Sequence, residues 1–300
     1  MPARFASVLT AATAVLLACA GTATASDHPA NVPWETFLPA LPASAKVQPH
    51  SVPFCRVASF SCIDTEVRRL RNAQRTFRCD HRGVFATTYL ELTRTLRREL
   101  RRQPKLFHWS RYLYVEDALF ADVYFNTLRN DRRGKAVPPA WRIALDTARS
   151  GEVNGAQDML LGINAHVQND MPFVVASLGL RTRKGETRKP DHDVMNKVLD
   201  TAYEPVVHAI ARRYDPFVST TNADWDPLDD VGGLEMVKGW REQVWRNAER
   251  LLGAKSDAER SQIATQIQQY AAGWARMMAT PQTPGARAKR DAYCTARLKK

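Results

Sequence analysis

Hydrophobic residues recur every three or four positions along most of this chain, which is the spacing of one face of an α-helix. The longest such stripe is Phe85, Tyr89, Leu92, Leu96 and Leu100. A second stripe follows Ser256 and Glu259, whose spacing is typical of a capping box at a helix start. The sequence has no convincing run of alternating β-branched residues, so we predict no strand.

The predicted fold is all-α, a single irregular bundle of about seven to nine helices over residues 63–279. Prolines repeat through residues 26–62 and disfavour a helix there, so we expect an extended, Pro-rich arm. Residues 280–300 contain Pro281 and Pro284 and are expected to form a loose C-terminal tail that Cys294 ties back. A hydrophobic fraction of 44% and a charged fraction of 25% agree with a globular chain and exclude a collagen-like or wholly disordered one.

Residues 1–25 have the pattern of a signal peptide. Arg4 is their only charge, an apolar stretch follows it, and Ala23-Thr24-Ala25 supplies the small residues that a signal peptidase reads. We therefore expect a secreted protein with no transmembrane segment once this peptide is removed. An alternative stays open, because Leu16-Leu17-Ala18-Cys19 resembles a bacterial lipobox and would anchor a lipoprotein through Cys19.

Cysteine usage agrees with export. Removal of the signal peptide leaves Cys55, Cys62, Cys79 and Cys294, and an even number is typical of a disulfide framework. Residues 63–76 are predicted to be helical, which places Cys62 and Cys79 near opposite ends of a rod about 20 Å long. A disulfide requires Cα atoms within about 7 Å. We therefore favour the pairs Cys55–Cys62 and Cys79–Cys294.

The formal net charge of +12 narrows the choice of partner. Because export is expected, we expect no nucleic acid as a partner, and the positive charge favours an anionic small molecule, a lipid headgroup or a cell-wall polymer. The basic loop around Arg181, Arg183 and Lys184 is a candidate substrate-binding segment for such an anion. A well-solvated surface loop without a partner is the simpler interpretation of the same residues.

The segment from Met159 to Leu180 is apolar on nearly every side, which predicts a buried central element. It contains five polar residues, Asn164, His166, Gln168, Asn169 and Asp170. Buried polar groups are costly unless they are paired. His166 and Asp170 would share a helix face, where they could bind one metal ion or act as a base and its orienting acid. Two alternatives stay open: Asp170 caps the helix after Pro172, or His166 makes a hydrogen bond within the core.

Other polar residues could complete such a site. His192, Asp193 and Asn196 lie in the first turn of a predicted helix and could bind metal, although capping and the favourable position of an acid there explain them as well. Asp117 lies on an apolar helix face and, with Glu91, is a candidate catalytic base or further ligand. An ion pair with a nearby arginine would explain Glu91 equally.

Several strings are together similar to one bacterial family. They are Cys79-Asp80-His81, Glu116-Asp117-Ala118-Leu119-Phe120-Ala121, Val137-Pro138-Pro139-Ala140-Trp141, Gly162-Ile163-Asn164-Ala165-His166 with Asp170, Lys189-Pro190-Asp191-His192-Asp193 and Trp245-Arg246-Asn247-Ala248. Over roughly residues 50–295 the chain resembles the family catalogued as a domain of unknown function, number 5995, most specifically in the Asn-Ala-His…Asp string. The resemblance implies an exported helical protein and supplies no activity, cofactor or catalytic residue.

Two classes of function follow from these residues. The first is a metal-dependent hydrolase that acts on an anionic (phospho)ester, with zinc as the expected divalent ion and a metal-bound water, its pKa lowered to about 7, as the nucleophile. Its predicted ligands are His166, Asp170, His192, Asp193 and Asn196. The second is a non-catalytic cell-envelope or binding protein, in which the buried His/Asp/Asn cluster is a hydrogen-bond network.

Overall fold

The computed structural model describes residues 55–220 and 230–298, and within these ranges the chain is helical and has no strand, as predicted. The α-helices are α1 (Ser61–Phe77), α2 (Arg82–Arg102), α3 (Ser110–Arg132), α4 (Pro139–Ser150), α5 (Gly155–Asn164), α6 (Met171–Leu178), α7 (Lys189–Arg213), α8 (Asp230–Gly253), α9 (Asp257–Met278) and α10 (Pro284–Leu298). A π turn at Ala165–Asp170 joins α5 to α6 without a break, so the described ranges contain nine helical rods, within the predicted number.

The predicted signal peptide, Cys19 of the lipobox alternative and residues 26–54 of the predicted arm lie outside the described residues. Of the rest of that arm, α1 already includes Ser61 and Cys62. Among the helices that the structure describes, none combines the length and the apolar character needed to cross a membrane.

The continuous segment α5–π–α6 lies at the centre of the bundle, as its apolar sequence predicts. It packs against α2, α4, α8 and α9, and Leu161, Ala165 and Val175 are completely buried. Gly162 permits the close approach of α2, because a side chain at this position would overlap the ring of Phe85. The polar residues of this segment are therefore held in the interior, where each needs a partner.

Both predicted disulfides are present. Cys55 is bonded to Cys62 with Cα atoms 5.2 Å apart, and Cys79 is bonded to Cys294 with Cα atoms 5.9 Å apart. Helix α1 separates Cys62 from Cys79, as the helix-length argument requires. The second bond fastens α10 to the start of α2.

The C-terminal region differs from its prediction, because the residues expected to form a loose tail are helical from Pro284 to Leu298. Pro284 is tolerated in the first turn, where its missing N–H would have no partner. Arg290 is 1% exposed and donates hydrogen bonds to the carbonyls of Gly151 and Val153, beyond the end of α4. A buried side chain at Arg290 and the disulfide at Cys294 together hold this helix on the body.

Candidate functional site

A cavity of about 150 Å³ lies between α2, α3, α5, α7 and α8, where four clusters of the hydrophobic core meet. Phe85, Met171, Met159 and Leu113, one from each cluster, illustrate its apolar wall. The acidic and basic groups among its described wall residues are Glu116, Asp117, His166 and Arg241. An apolar wall with a few polar groups is the usual composition of a small-molecule site.

The π turn explains how Pro172 fits inside a helix. The backbone N–H of Met171 donates to the carbonyl of His166, five residues back, and the chain then continues helically through Pro172. The side chain of Asp170 makes no capping hydrogen bond, so the capping alternative for this residue is wrong. Single π turns within α-helices are frequent at functional sites.

Asp170 instead fixes the ring of His166. Its Oδ2 atom lies 3.0 Å from Nδ1 of His166 and accepts a hydrogen bond of 2.7 Å from Nε1 of Trp141, while Oδ1 accepts one of 2.7 Å from Asn169. An ionised carboxylate only accepts hydrogen bonds, so Nδ1 of His166 is the donor. The other ring nitrogen, Nε2, is consequently left as an acceptor.

The Nε2 atom of His166 is buried and has no hydrogen-bond partner among the described residues, and this side chain lines the cavity. The ring is 2% exposed and stacks on Phe120 at a centroid distance of 3.5 Å. Burial lowers the pKa of His166 and keeps the imidazole neutral, although Asp170 opposes that shift. The site therefore presents a neutral, oriented acceptor to whatever occupies the cavity.

Two further polar residues of this segment form a separate set of hydrogen bonds. Nδ2 of Asn164 donates to the carbonyl of Ala271 at 2.8 Å, and Nε2 of Gln168 donates to Oδ1 of Asn164 at 2.7 Å. Asn169 donates to Asp170, as described above. The polar side chains of this segment are therefore held by hydrogen bonds inside the protein.

Asp117 also lines the cavity and faces a second carboxyl group, Glu66. Burial is the main cause that raises the pKa of both groups, and for Glu66 the proximity of Asp117 raises it further. Thr93 donates a hydrogen bond of 3.1 Å to Oε1 of Glu66. Each carboxyl group disfavours the ionised form of the other, which adds to the effect of burial on the pKa of Glu66. Glu66 was not among the predicted site residues, although its place between Ile63, Val67 and Leu70 marks a buried helix face.

Glu116 and Arg241 add a partly buried acid and a buried cation to the same cavity wall. Burial raises the pKa of Glu116 to about 7, with the positive charge of Arg241 opposing the shift. Burial lowers the pKa of Arg241 to about 10, although the guanidinium stays charged at neutral pH. Arg241 was not among the predicted site residues. Its position among Val237, Trp240 and Val244 on a helix could have indicated that it is buried.

The second predicted ligand cluster supports Arg241. Nε2 of His192 donates to the backbone carbonyl of Arg241 at 2.9 Å, and the carbonyl of His192 accepts from Nη2 of Arg241. Oδ1 of Asn196 accepts from Nε of Arg241 at 2.9 Å. Asp193 is exposed and pairs with Lys189 at 2.6 Å. Burial is the main cause that lowers the pKa of His192 well below its usual value.

The predicted metal ligands make separate contacts in the structure. The structure contains, over residues 55–220 and 230–298, no group of three His, Cys, Asp or Glu side chains that could hold a metal ion. His166 is engaged with Asp170 beside the cavity, whereas His192 is engaged with the backbone of α8. The sequence predicts that these two histidines converge on one point. Tertiary packing instead gives each of them a partner of its own.

The other predicted site residues lie away from the cavity. Glu91 forms an ion pair with Arg94, which is the alternative stated for it. Arg181 donates to the carbonyl of Gly185 at 2.8 Å, and Arg181, Arg183 and Lys184 are all exposed. Of the predicted set, the described cavity wall includes His166 and Asp117.

The comparisons with known proteins identify a family without an activity. The model of a family described as "Family of unknown function (DUF5995)" matches residues 63–281. No curated protein and no solved structure matches the chain. The matched range includes Glu116, Asp117, His166 and Arg241 of the cavity wall.

Proposed function

Because the chain belongs to the family of unknown function DUF5995, we propose its function from the cavity: the protein binds an apolar small molecule there. This is the binding-protein alternative of the sequence analysis. The observation that carries it is the cavity at the meeting point of four core clusters. The hydrogen-bond network around Asp170 holds one wall in a fixed geometry.

The size of the cavity supports this proposal. Protein interiors are close-packed, and voids larger than a water molecule are few. A cavity of about 150 Å³ leaves part of its apolar wall without packing partners, which a ligand would supply. Burial of an apolar ligand against this wall would be favourable by about 25 cal/mol per Å² of apolar surface removed from water.

The hydrolase is the second candidate, and one observation favours it. His166 is oriented by Asp170 and presents an unpartnered Nε2 atom to the cavity, which is how a general base toward a bound water is arranged. Asp117 was also predicted as a site residue and lines the same cavity. It could act as a base or could contact a zinc ion together with His166. Elemental analysis of the purified, tag-free protein tests the metal, and ester hydrolysis assays with and without chelator test the base.

A binding experiment tests the first proposal. We expect octanol, a neutral apolar probe, to bind the full mature chain and to raise its Tm. Ala202 lines the cavity and is buried, so Ala202→Leu should occupy part of the space and weaken octanol binding at least about tenfold. The matched control is Ala288→Leu on the exposed side of α10, which should leave binding unchanged. Equal binding by both variants would contradict a site in this cavity.

Export of the protein is part of the proposal. The two disulfides support an oxidising compartment, where such bonds persist. N-terminal sequencing of protein from the culture medium would show Ser26 for the secreted form. Recovery of the chain only in the membrane fraction, with lipid on Cys19, would favour the lipoprotein alternative.

A further inference from the structure

Arg241 is a buried cation without a close counter-ion. Its side chain is 4% exposed, yet it forms no ion pair within 4 Å with any residue of the described ranges. Its hydrogen bonds go to neutral acceptors, namely Oδ1 of Asn196, the carbonyl of His192 and the sulfur of Met171. A buried charge is stable only when it is paired or fully hydrogen-bonded.

One part of the guanidinium is poorly satisfied. Among the described residues, Nη1 has only the Met171 sulfur as an acceptor, at 3.5 Å, and a thioether is a weak acceptor. Arg241 and Met171 both line the cavity. The unsatisfied donor capacity is therefore next to the space that a ligand would occupy.

The neighbouring carboxylates are engaged elsewhere. Asp193 pairs with Lys189, and Glu242 pairs with Lys189 and Arg246. Glu116 lies on the cavity wall, and its raised pKa leaves it only partly ionised near pH 7. None of these groups supplies a full negative charge in contact with Arg241.

From this geometry we propose that Arg241 binds the head group of the ligand, and that the ligand is an amphiphile with one carboxylate and an apolar chain. This inference rests on the proposed function and assigns the class of ligand. A guanidinium and a carboxylate form paired, charge-assisted hydrogen bonds. The chain would lie against the apolar wall formed by residues such as Met159, Val206 and Leu234.

The charges around the cavity favour a monoanion. Glu116 and the Glu66–Asp117 pair line or adjoin the same wall. A phosphate monoester brings close to two negative charges at pH 7, whereas Arg241 supplies one positive charge to pair with them. A carboxylate brings one charge, and protonated Glu116 can donate a hydrogen bond to it.

A matched pair of probes tests the head group. Octanoate and octanol share a chain length and differ in charge, and calorimetry with the full mature chain measures both affinities. We expect octanoate to bind at least about tenfold more tightly than octanol. Arg241→Met should weaken octanoate binding at least about tenfold and so remove the preference for octanoate over octanol. Arg181→Met on the exposed loop should leave the affinity for both probes unchanged.

The outcomes separate this inference from the proposed function. If neither probe binds, the proposed function fails as well. If octanol binds as tightly as octanoate, the cavity binds apolar ligands but Arg241 does not recognise a carboxylate. In that case the inference fails and the proposed function stands. Tighter binding of octyl phosphate than of octanoate would overturn the assignment of a monoanion.

A second measurement covers the case in which Arg241→Met does not fold. Octanoate is labelled with ¹³C at its carboxyl carbon and bound to the unmodified protein at pH 5. Because Arg241 should lower the pKa of the bound carboxyl group, we expect the chemical shift of the ionised form. A bound signal at the shift of the protonated acid would contradict contact with the guanidinium.

Discussion

Nδ1 of His166 and Oδ2 of Asp170 lie 3.0 Å apart across a π turn, with both side chains buried. This pair links the two halves of the central segment: His166 faces the cavity and Asp170 is fastened to Trp141 on α4. The acid thus orients the ring that the ligand would meet.

Asp170→Asn should lower the free energy of unfolding by about 1–3 kcal/mol. A carboxamide has one acceptor oxygen, so it cannot accept from Trp141, His166 and Asn169 together, and a buried donor is left unpaired. Urea denaturation measures the change. Asp146→Asn, at a half-exposed surface ion pair, is the control and should change stability by less than about 1 kcal/mol. Equal effects of the two changes would show that the network around Asp170 has no special role.

The raised pKa of Glu116 predicts how stability depends on pH. The folded state binds the Glu116 proton up to about pH 7, whereas the unfolded chain releases it near 4.5. Between these values the folded state holds more protons, so stability falls as pH rises. Glu116→Gln should remove this decline and gain up to about 3 kcal/mol relative to the wild type between pH 4.5 and 7.

Denaturation curves across that pH range measure the Glu116 effect. Glu152→Gln, at an exposed glutamate, is the matched control and should follow the wild type. If Glu116→Gln showed the same pH dependence as the wild type, Glu116 would not be held partly protonated in the folded protein.

The two disulfides should differ in their contribution to stability. Their sequence separations are 7 and 215 residues. Loop-closure entropy gives about 2 kcal/mol for the short loop and about 5 kcal/mol for the long one. We therefore expect the Cys79→Ala/Cys294→Ala variant to unfold at clearly lower urea concentration than Cys55→Ala/Cys62→Ala. The reverse order would mean that residual structure in the unfolded chain outweighs loop length.

Asp191 is predicted to stabilise a helix distant in sequence. Its two carboxylate oxygens accept hydrogen bonds of 2.8 Å from the backbone N–H groups of His108 and Trp109, at the start of α3. Asp191→Ala should therefore cost about 1–2 kcal/mol. Asp193→Ala, an exposed aspartate on the same helix, should cost less than about 1 kcal/mol. Hydrogen exchange at the first turn of α3 would locate the effect, and unchanged protection there would contradict the assignment.

Local patterns were sufficient to predict the fold. Three- and four-residue spacing determined the helices, because an amphipathic or fully apolar helix must bury its apolar face. The length of α1 was sufficient to exclude a Cys62–Cys79 bond. Helix α10 was missed because its short polar sequence is held by Arg290 and Cys294, and these contacts are made only in the folded chain.

The candidate site could be predicted only in part. The sequence identified His166, Asp170 and Asp117 as buried polar groups, and each has a partner in the interior. It could not show that His192 turns toward the backbone of α8, because helical spacing gives the face of a residue and not its neighbour. For the same reason no local motif predicts the role of Arg241, which depends on residues that are distant in sequence.

The Cys79–Cys294 bond makes one covalent ring of most of the polypeptide. A protease that cuts the chain once between these cysteines would open the ring without releasing a fragment. The nicked protein would keep its mass on a non-reducing gel and separate into two pieces only after thiol treatment. The molecule can therefore lose the continuity of its backbone in a harsh environment and remain a single particle.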